Sequence, residues 1–133
     1  GEEVLTVWCW DPNFNVYAMK QAEALYQKEH PNFKLDIQEK VYTDIEQSLI
    51  TAAEAGNFDT LPDIFLMQDY SFHKNATNYP GIFTALDDCG IDFSQFSMGK
   101  LADSTVDGTH YGIPFERCYH HGDPFRYGRS SRP

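Results

Sequence analysis

Arginine is missing from the first 116 residues of this 133-residue chain, whereas residues 117–133 carry four arginines and no lysine. Cysteine is scarce too. Cys9, Cys89 and Cys118 form no CxxC pair, and an odd number gives no disulfide framework. Basic residues are outnumbered by acids, 10 to 20, for a net charge of −10. A chain of that sign repels nucleic acid and anionic lipid, which removes both as favoured partners. No apolar run approaches the ~20 residues that cross a bilayer. GxSxG, a glycine-rich phosphate loop and HExxH are all absent, so no hydrolase, nucleotide or zinc-protease chemistry is indicated. The expectation is a protein that is not an enzyme and needs no cofactor or metal.

What is present fits one globular domain. Apolar residues make up 41% of the chain, and the length allows one real core. Gly1 opens the chain with no initiator Met or charged-then-apolar leader, as after removal of a signal or trimming of the start. The charge is unevenly spread. Residues 1–116 hold six Lys and 19 acids, for −13; residues 117–133 hold one acid and four Arg, for +3. Neither a helical nor a strand period continues into that tail. Two segments are therefore expected, 1–116 and 117–133.

Along the first segment, Val4 to Trp10 is a β-branched and aromatic run, a buried strand broken by Asp11-Pro12-Asn13. From Phe14 to His30 apolar residues recur at helical spacing, with Ala18, Ala22, Leu25 and Tyr26 as the face and Val16 and Met19 beside them; Pro31 stops the helix. Lys34 to Val41 alternates as a second strand. Thr43-Asp-Ile-Glu46 reads as a capping box for a helix that ends at Gly56. Pro62 to Met67 is unbroken in its apolar character, as a strand buried on both faces is. Strand, helix, strand, helix, strand predicts an α/β fold with a parallel sheet and right-handed crossovers. Beyond it, Ser71 to Asn78 predicts a short helix, Phe83 to Asp88 a loop, and Asp107-Gly108 a hairpin turn. Cys9 and Cys89 are expected to behave as small apolar residues.

The order of these pieces is specific. A first strand with Trp8 and Trp10, a helix stopped at His30-Pro31, Leu61-Pro-Asp-Ile-Phe65, Thr84-Ala-Leu-Asp-Asp88 and Asp107-Gly-Thr-His-Tyr-Gly-Ile-Pro-Phe-Glu116 follow one another. Together, over residues 4–116, they resemble the solute-binding proteins of carbohydrate ABC importers, the maltose-binding-like family. The resemblance implies part of a lobe of a type II periplasmic-binding-protein-like fold, incomplete, from a two-lobed protein that closes on a sugar. It implies partnership with the membrane subunits of an importer, an extracellular or periplasmic location, and room for a lipid anchor. It also implies that later segments complete the lobe, so this chain by itself is expected to expose an edge, self-associate and hold sugar poorly.

In an open parallel sheet, ligands sit beyond the carboxyl ends of the strands. Four stretches qualify: Trp10, Asp11 and Asn13; Tyr42 and Asp44; Gln68, Asp69 and Tyr70; and Glu116. Carboxylates and amides pair with sugar hydroxyls, and rings stack on their C–H faces. Each has a plainer alternative: Asp11 can start the helix, and Asp44 suits a helix N-terminus. Trp8 points opposite to Cys9 and suits the core, leaving Trp10 as the platform.

The tail admits three readings. Cys118, His120, His121 and Asp123 offer metal-ligand atoms, but their spacing matches no common zinc site. An authentic irregular arm is the second. The third is a reading-frame slip at codon 117. Using the last two bases of each observed codon as the first two of another permits Asn-Gly-Val-Thr-Thr-Met-Val-Ile-Arg-Ser-Asp-Met-Val-Glu-Ala-Ala-Gly. That string has the apolar strand, the basic-small-Asp step and the helix that the resembling family would supply. For the chain as a whole, the competing function is a small flavodoxin-like or regulator-like α/β domain with its site at the same sheet edge.

Overall fold

The computed structural model describes residues 3–96, 98–115 and 125–132. The leading strand β1 (Glu3–Cys9) runs through Trp10 and Asp11 into a π-helical turn, Pro12–Val16, and then helix α1 (Tyr17–Gln27). Strand β2 (Phe33–Glu39), helix α2 (Tyr42–Ala55), strand β3 (Ile64–Gln68) and helix α3 (Asp69–Asn78) complete the alternation. A short helix α4 (Met98–Ala102), the hairpin β4 (Thr105–Val106) and β5 (Thr109–His110), and strands β6 (Gly112–Phe115) and β7 (Phe125–Arg129) follow. The five-stranded sheet has the order β2-β1-β3-β7-β6.

β1 lies parallel to β2 along its whole length and to β3 at Val7↔Ile64 and Trp8↔Phe65. β7 then runs antiparallel to both β3 and β6. The sheet is therefore mixed, where the repeating pattern predicts a parallel one. An antiparallel strand in the interior also departs from the all-parallel doubly wound order of the competing reading.

Strand alternation divides the core in two. On one face Trp8, Phe65 and Met67 pack with Ile45, Leu49 and Ala52 of α2 and Phe72 and Ala76 of α3. On the other, Val7, Cys9, Phe33, Leu35 and Leu66 pack with Val16, Met19 and Tyr127. Trp8 is in the core as expected, its indole Nε1 donating to Gln38 Oε1 at 3.1 Å. Burial, with the charge of Glu39 adding, pushes the Cys9 thiol up to about 11. Cys89, in contrast to its apolar expectation, is exposed. Alkylation at pH 8 should modify Cys89 within minutes and leave Cys9 intact until the chain is unfolded, as peptide mass mapping will show.

Helix α1 turns a different face to the sheet than its apolar spacing indicates. It has no fully buried residue, and Leu25 is 64% exposed. The sheet-facing stripe is Val16, Met19, Glu23 and Gln27. The Glu23 carboxylate accepts the Leu35 amide at 2.6 Å, and Gln27 Nε2 donates to the Phe33 carbonyl at 2.7 Å. Both bonds engage backbone groups of β2, the edge strand, whose outward amides and carbonyls otherwise face water. Ladder satisfaction at an edge outweighs burial of a Leu and a Tyr here, and it partly covers one of the edges expected to invite self-association.

The capping box does not form. α2 starts at Tyr42 with Val41 at the cap position and no side-chain cap bond, which puts Thr43 inside the first turn. Glu46 instead accepts from Asn75 Nδ2 at 2.8 Å, tying α2 to α3. At the other end Gly56 adopts φ 67°, the left-handed cap expected of it. The Asp107-Gly108 hairpin is present, with φ of 52° and 81°, a primed turn matched to strand twist. Asp87 clamps it, accepting the His110 amide at 3.0 Å and lying 2.7 Å from His110 Nδ1, while the Phe93 ring stacks on the imidazole. The His110 contacts hold the Asp87 carboxyl below the usual carboxylate range.

Candidate functional site

The carboxyl ends of β1, β2 and β3 lie side by side, and the loops leaving them carry most of the residues singled out above. Trp10 and Tyr42 meet there, ring centroids 5.0 Å apart and planes at 65°. Both are half-buried, each packed on the core at one end. This edge-to-face pair arises because β1 and β2 are neighbours and each leaves the sheet through an aromatic residue. It forms an aromatic step bordered by Asp11 and the first turn of α2.

Asp11 takes φ 66°, and its carbonyl accepts from the amides of Asn15 (3.0 Å) and Val16 (3.3 Å). The left-handed backbone, which Asp tolerates better than most residues, redirects the chain from strand to helix. The Asp11 backbone thus takes part in starting the helical turn. Asn13 is exposed in the π-helical turn. Asp44 is exposed in the first turn of α2, where a carboxylate complements the helix dipole.

Gln68 stands at the cap position of α3, and Asp69 opens the helix. Asp69 is buried, and its Oδ1 accepts from Arg126 Nε at 2.7 Å. It is brought to the same edge as Trp10 and Tyr42 but is engaged inside the protein. Tyr70 follows it in α3. Glu116 lies outside the described residues, as do Cys118, His120, His121 and Asp123 of the metal reading. Among the described residues no cluster of three His, Cys, Asp or Glu could hold a metal, and no helix is long and apolar enough to cross a membrane.

Asn15 and Arg126 are among the buried polar residues that the sequence did not point to. Asn15 is fully buried with no hydrogen-bond partner for its amide among the described residues. It sits in the π-helical turn that leads into α1. Arg126 is also fully buried, and its Nη1 donates to Ser104 Oγ at 2.6 Å while Nη2 lies 3.7 Å from Asp103. A lone Arg in a stretch without a strand period gives no hint of burial. An apolar depression of about 300 Å³ lined by Met19, Ile64, Leu86, Ile113 and Tyr127 lies on the α1 side, toward the amino end of β3 and away from the ring pair. Burial there holds the Tyr127 hydroxyl well above its usual range.

The fold is that of type II periplasmic-binding-protein-like α/β proteins, of which this chain covers only a part. No family model matches the chain. The lactose-binding protein of Rhizobium radiobacter is 46% identical over 112 residues, which is 84% of this chain and 26% of that protein. Among solved structures, the mannotriose complex of CpMnBP1 is 27% identical with a TM-score of 0.66, covering 85% of this chain and 28% of the other. UgpB of Mycobacterium tuberculosis, bound to glycerophosphocholine, is 26% identical with a TM-score of 0.67, covering 86% and 29%. The chain spans about a quarter of the length of the relatives it matches. Over that stretch the resemblance read from the residues holds.

Proposed function

We propose that this chain belongs to a binding protein that captures a sugar or oligosaccharide outside the cytoplasm and hands it to an ABC importer, doing no chemistry on it. The observation that carries the reading is the Trp10–Tyr42 ring step at the strand ends, in a chain 46% identical over 112 residues to a lactose-binding protein. The ring faces stack on sugar C–H surfaces, Asp11, Asn13, Asp44 and Gln68 supply hydroxyl partners, and Tyr70 and Glu116 are proposed as further contacts. Asp69 contributes to a ligand only where its bond to Arg126 opens.

The test is a chimera in which residues 3–115 replace the matching segment of the lactose-binding relative, titrated calorimetrically with lactose, mannotriose and maltotriose. Saturable binding is expected, and Trp10→Ala should weaken it about 30-fold, the loss of ~2 kcal/mol typical of a central aromatic anchor. A chimera that folds and binds none of the three sinks the reading.

The division into a partial lobe, 1–116, and a tail of foreign sequence, 117–133, is proposed with it. The switch from lysine only to arginine only at that boundary supports it. Sequencing the coding DNA decides: a shifted frame that yields no apolar strand after Glu116 removes the frame-slip explanation. A strand at 125–129 is compatible with foreign origin, because tertiary surroundings can impose strand structure on a segment whose own pattern does not ask for it.

A further inference from the structure

We propose that Asn15 is a further ligand-positioning residue: its buried carboxamide is reserved for one hydroxyl of the captured sugar, which it meets when the π-helical turn after β1 tightens. This rests on the sugar-binding reading above and adds a residue to it.

The starting point is the amide itself. Asn15 is fully buried, and neither its side-chain nitrogen nor its oxygen has a hydrogen-bond partner. A buried amide in that state destabilises the fold, so it calls for a reason. Other buried polar side chains here are engaged: Asp69 by Arg126, Asn75 Nδ2 by Glu46, and Ser130 Oγ by the Pro62 carbonyl. Among the described residues Asn15 is the one buried amide with both ends bare. Ser71 Oγ is also buried and bare, and it too lies directly after a stretch of the candidate edge, in the first turn of α3. Local rules broken beside a site mark groups kept for function rather than for folding.

The turn shows how the amide reaches the edge. The Asp11 carbonyl accepts the Asn15 amide at 3.0 Å, four residues on, and the Val16 amide at 3.3 Å, five residues on. The first bond is α-type and the second π-type. Keeping only the shorter one converts the turn to α geometry, in which residues four apart share a face. Asn15 then stands over Asp11, at the border of the Trp10–Tyr42 step.

The chemistry of the amide names its partner. It offers two N–H donors and one carbonyl acceptor, with no charge. A carboxylate or phosphate leaves the carbonyl unmatched, and a cation leaves the N–H groups unmatched. A hydroxyl donates and accepts through one atom, and a sugar lying with its C–H face on the rings presents hydroxyls around its rim. The bond forms only with ligand present, so the amide strengthens capture and weakens the empty lobe.

The test is Asn15→Leu, which keeps the branched shape and removes the polar atoms, made both in the 133-residue chain and in the chimera described above. In the chain without sugar the urea midpoint should rise, by on the order of 0.5 M. In the chimera the same change should weaken binding of the tightest of the three sugars about tenfold. Monodeoxy versions of that sugar then find the hydroxyl. One of them should bind the unaltered chimera about tenfold more weakly than the parent sugar does, yet bind the Asn15→Leu chimera as well as the parent sugar does. Unchanged affinity in Asn15→Leu, or deoxy losses equal in the two proteins, overturns the proposal and leaves sugar capture standing. So does a midpoint that stays or falls, or a variant that fails to fold, since the amide then has its partner in the empty lobe, a buried water included. An unaltered chimera that binds no sugar removes sugar capture itself, and this proposal with it.

Discussion

Phe65→Ala is expected to cost about 3–5 kcal/mol, a large share of the stability of a domain this size. Phe65 is fully buried in β3, its ring centroid 5.4 Å from that of Phe83 and 6.0 Å from that of Phe72. It also closes one side of the space above Gly128. Truncation removes the ring from two partners and leaves a void that stiff strand backbone on both sides cannot collapse into. Urea unfolding monitored by circular dichroism gives the number. Leu25→Ala serves as the control: a side chain 64% exposed on α1 should change stability by no more than ~0.5 kcal/mol. Equal shifts in the two variants would mean that the described core is not the one the protein uses.

Arg126→Met has the second large effect, about 3–5 kcal/mol, for an electrostatic reason. Asp69 and Arg126 are buried together. Removing the cation alone leaves a carboxylate without its compensation, and Ser104 loses its donor as well. The double variant Arg126→Met with Asp69→Leu should recover much of the loss, since two apolar groups of similar volume replace a buried pair at little cost. A double-mutant cycle from urea midpoints measures the coupling. Additive single effects would show that the pair does not hold β7 to α3.

Much of the fold was legible because it rests on local rules. The run Val4 to Trp10, the unbroken Pro62 to Met67, the cap at Gly56 and the turn at Asp107-Gly108 each have one low-energy backbone solution, and the structure adopts it. The alternation of strands and helices then fixed the α/β class. Where the reading failed, a competing partner elsewhere in the chain had won. Thr43 lost its cap because α2 starts a residue earlier and Glu46 turned to Asn75. Leu25 and Tyr26 lost their place against the sheet to Glu23 and Gln27, which satisfy the backbone of an edge strand. Period counts apolar residues, and it cannot see an unpaired amide on another element.

The candidate site divides the same way. Trp10, Asp11, Tyr42 and Asp44 follow strands, so strand prediction alone places them at one edge. That Trp10 meets Tyr42 edge-to-face depends on β1 and β2 being sheet neighbours, a non-local fact. Asp69 sits where the residues put it, but its engagement by Arg126 comes from 57 positions away along the chain.

By itself, then, the sequence determined the α/β class, the acidic character, the break at residue 116 and the edge that carries the aromatic step, because these follow from periodicity, turn chemistry and charge. Only the tertiary structure decided that residues 125–129 run antiparallel inside the sheet, that Arg126 is buried against Asp69, and that Gly112 and Gly128 lie beneath Phe72. A strand's place and partners are set by contacts between residues far apart in the chain, and no local pattern within the tail encodes them.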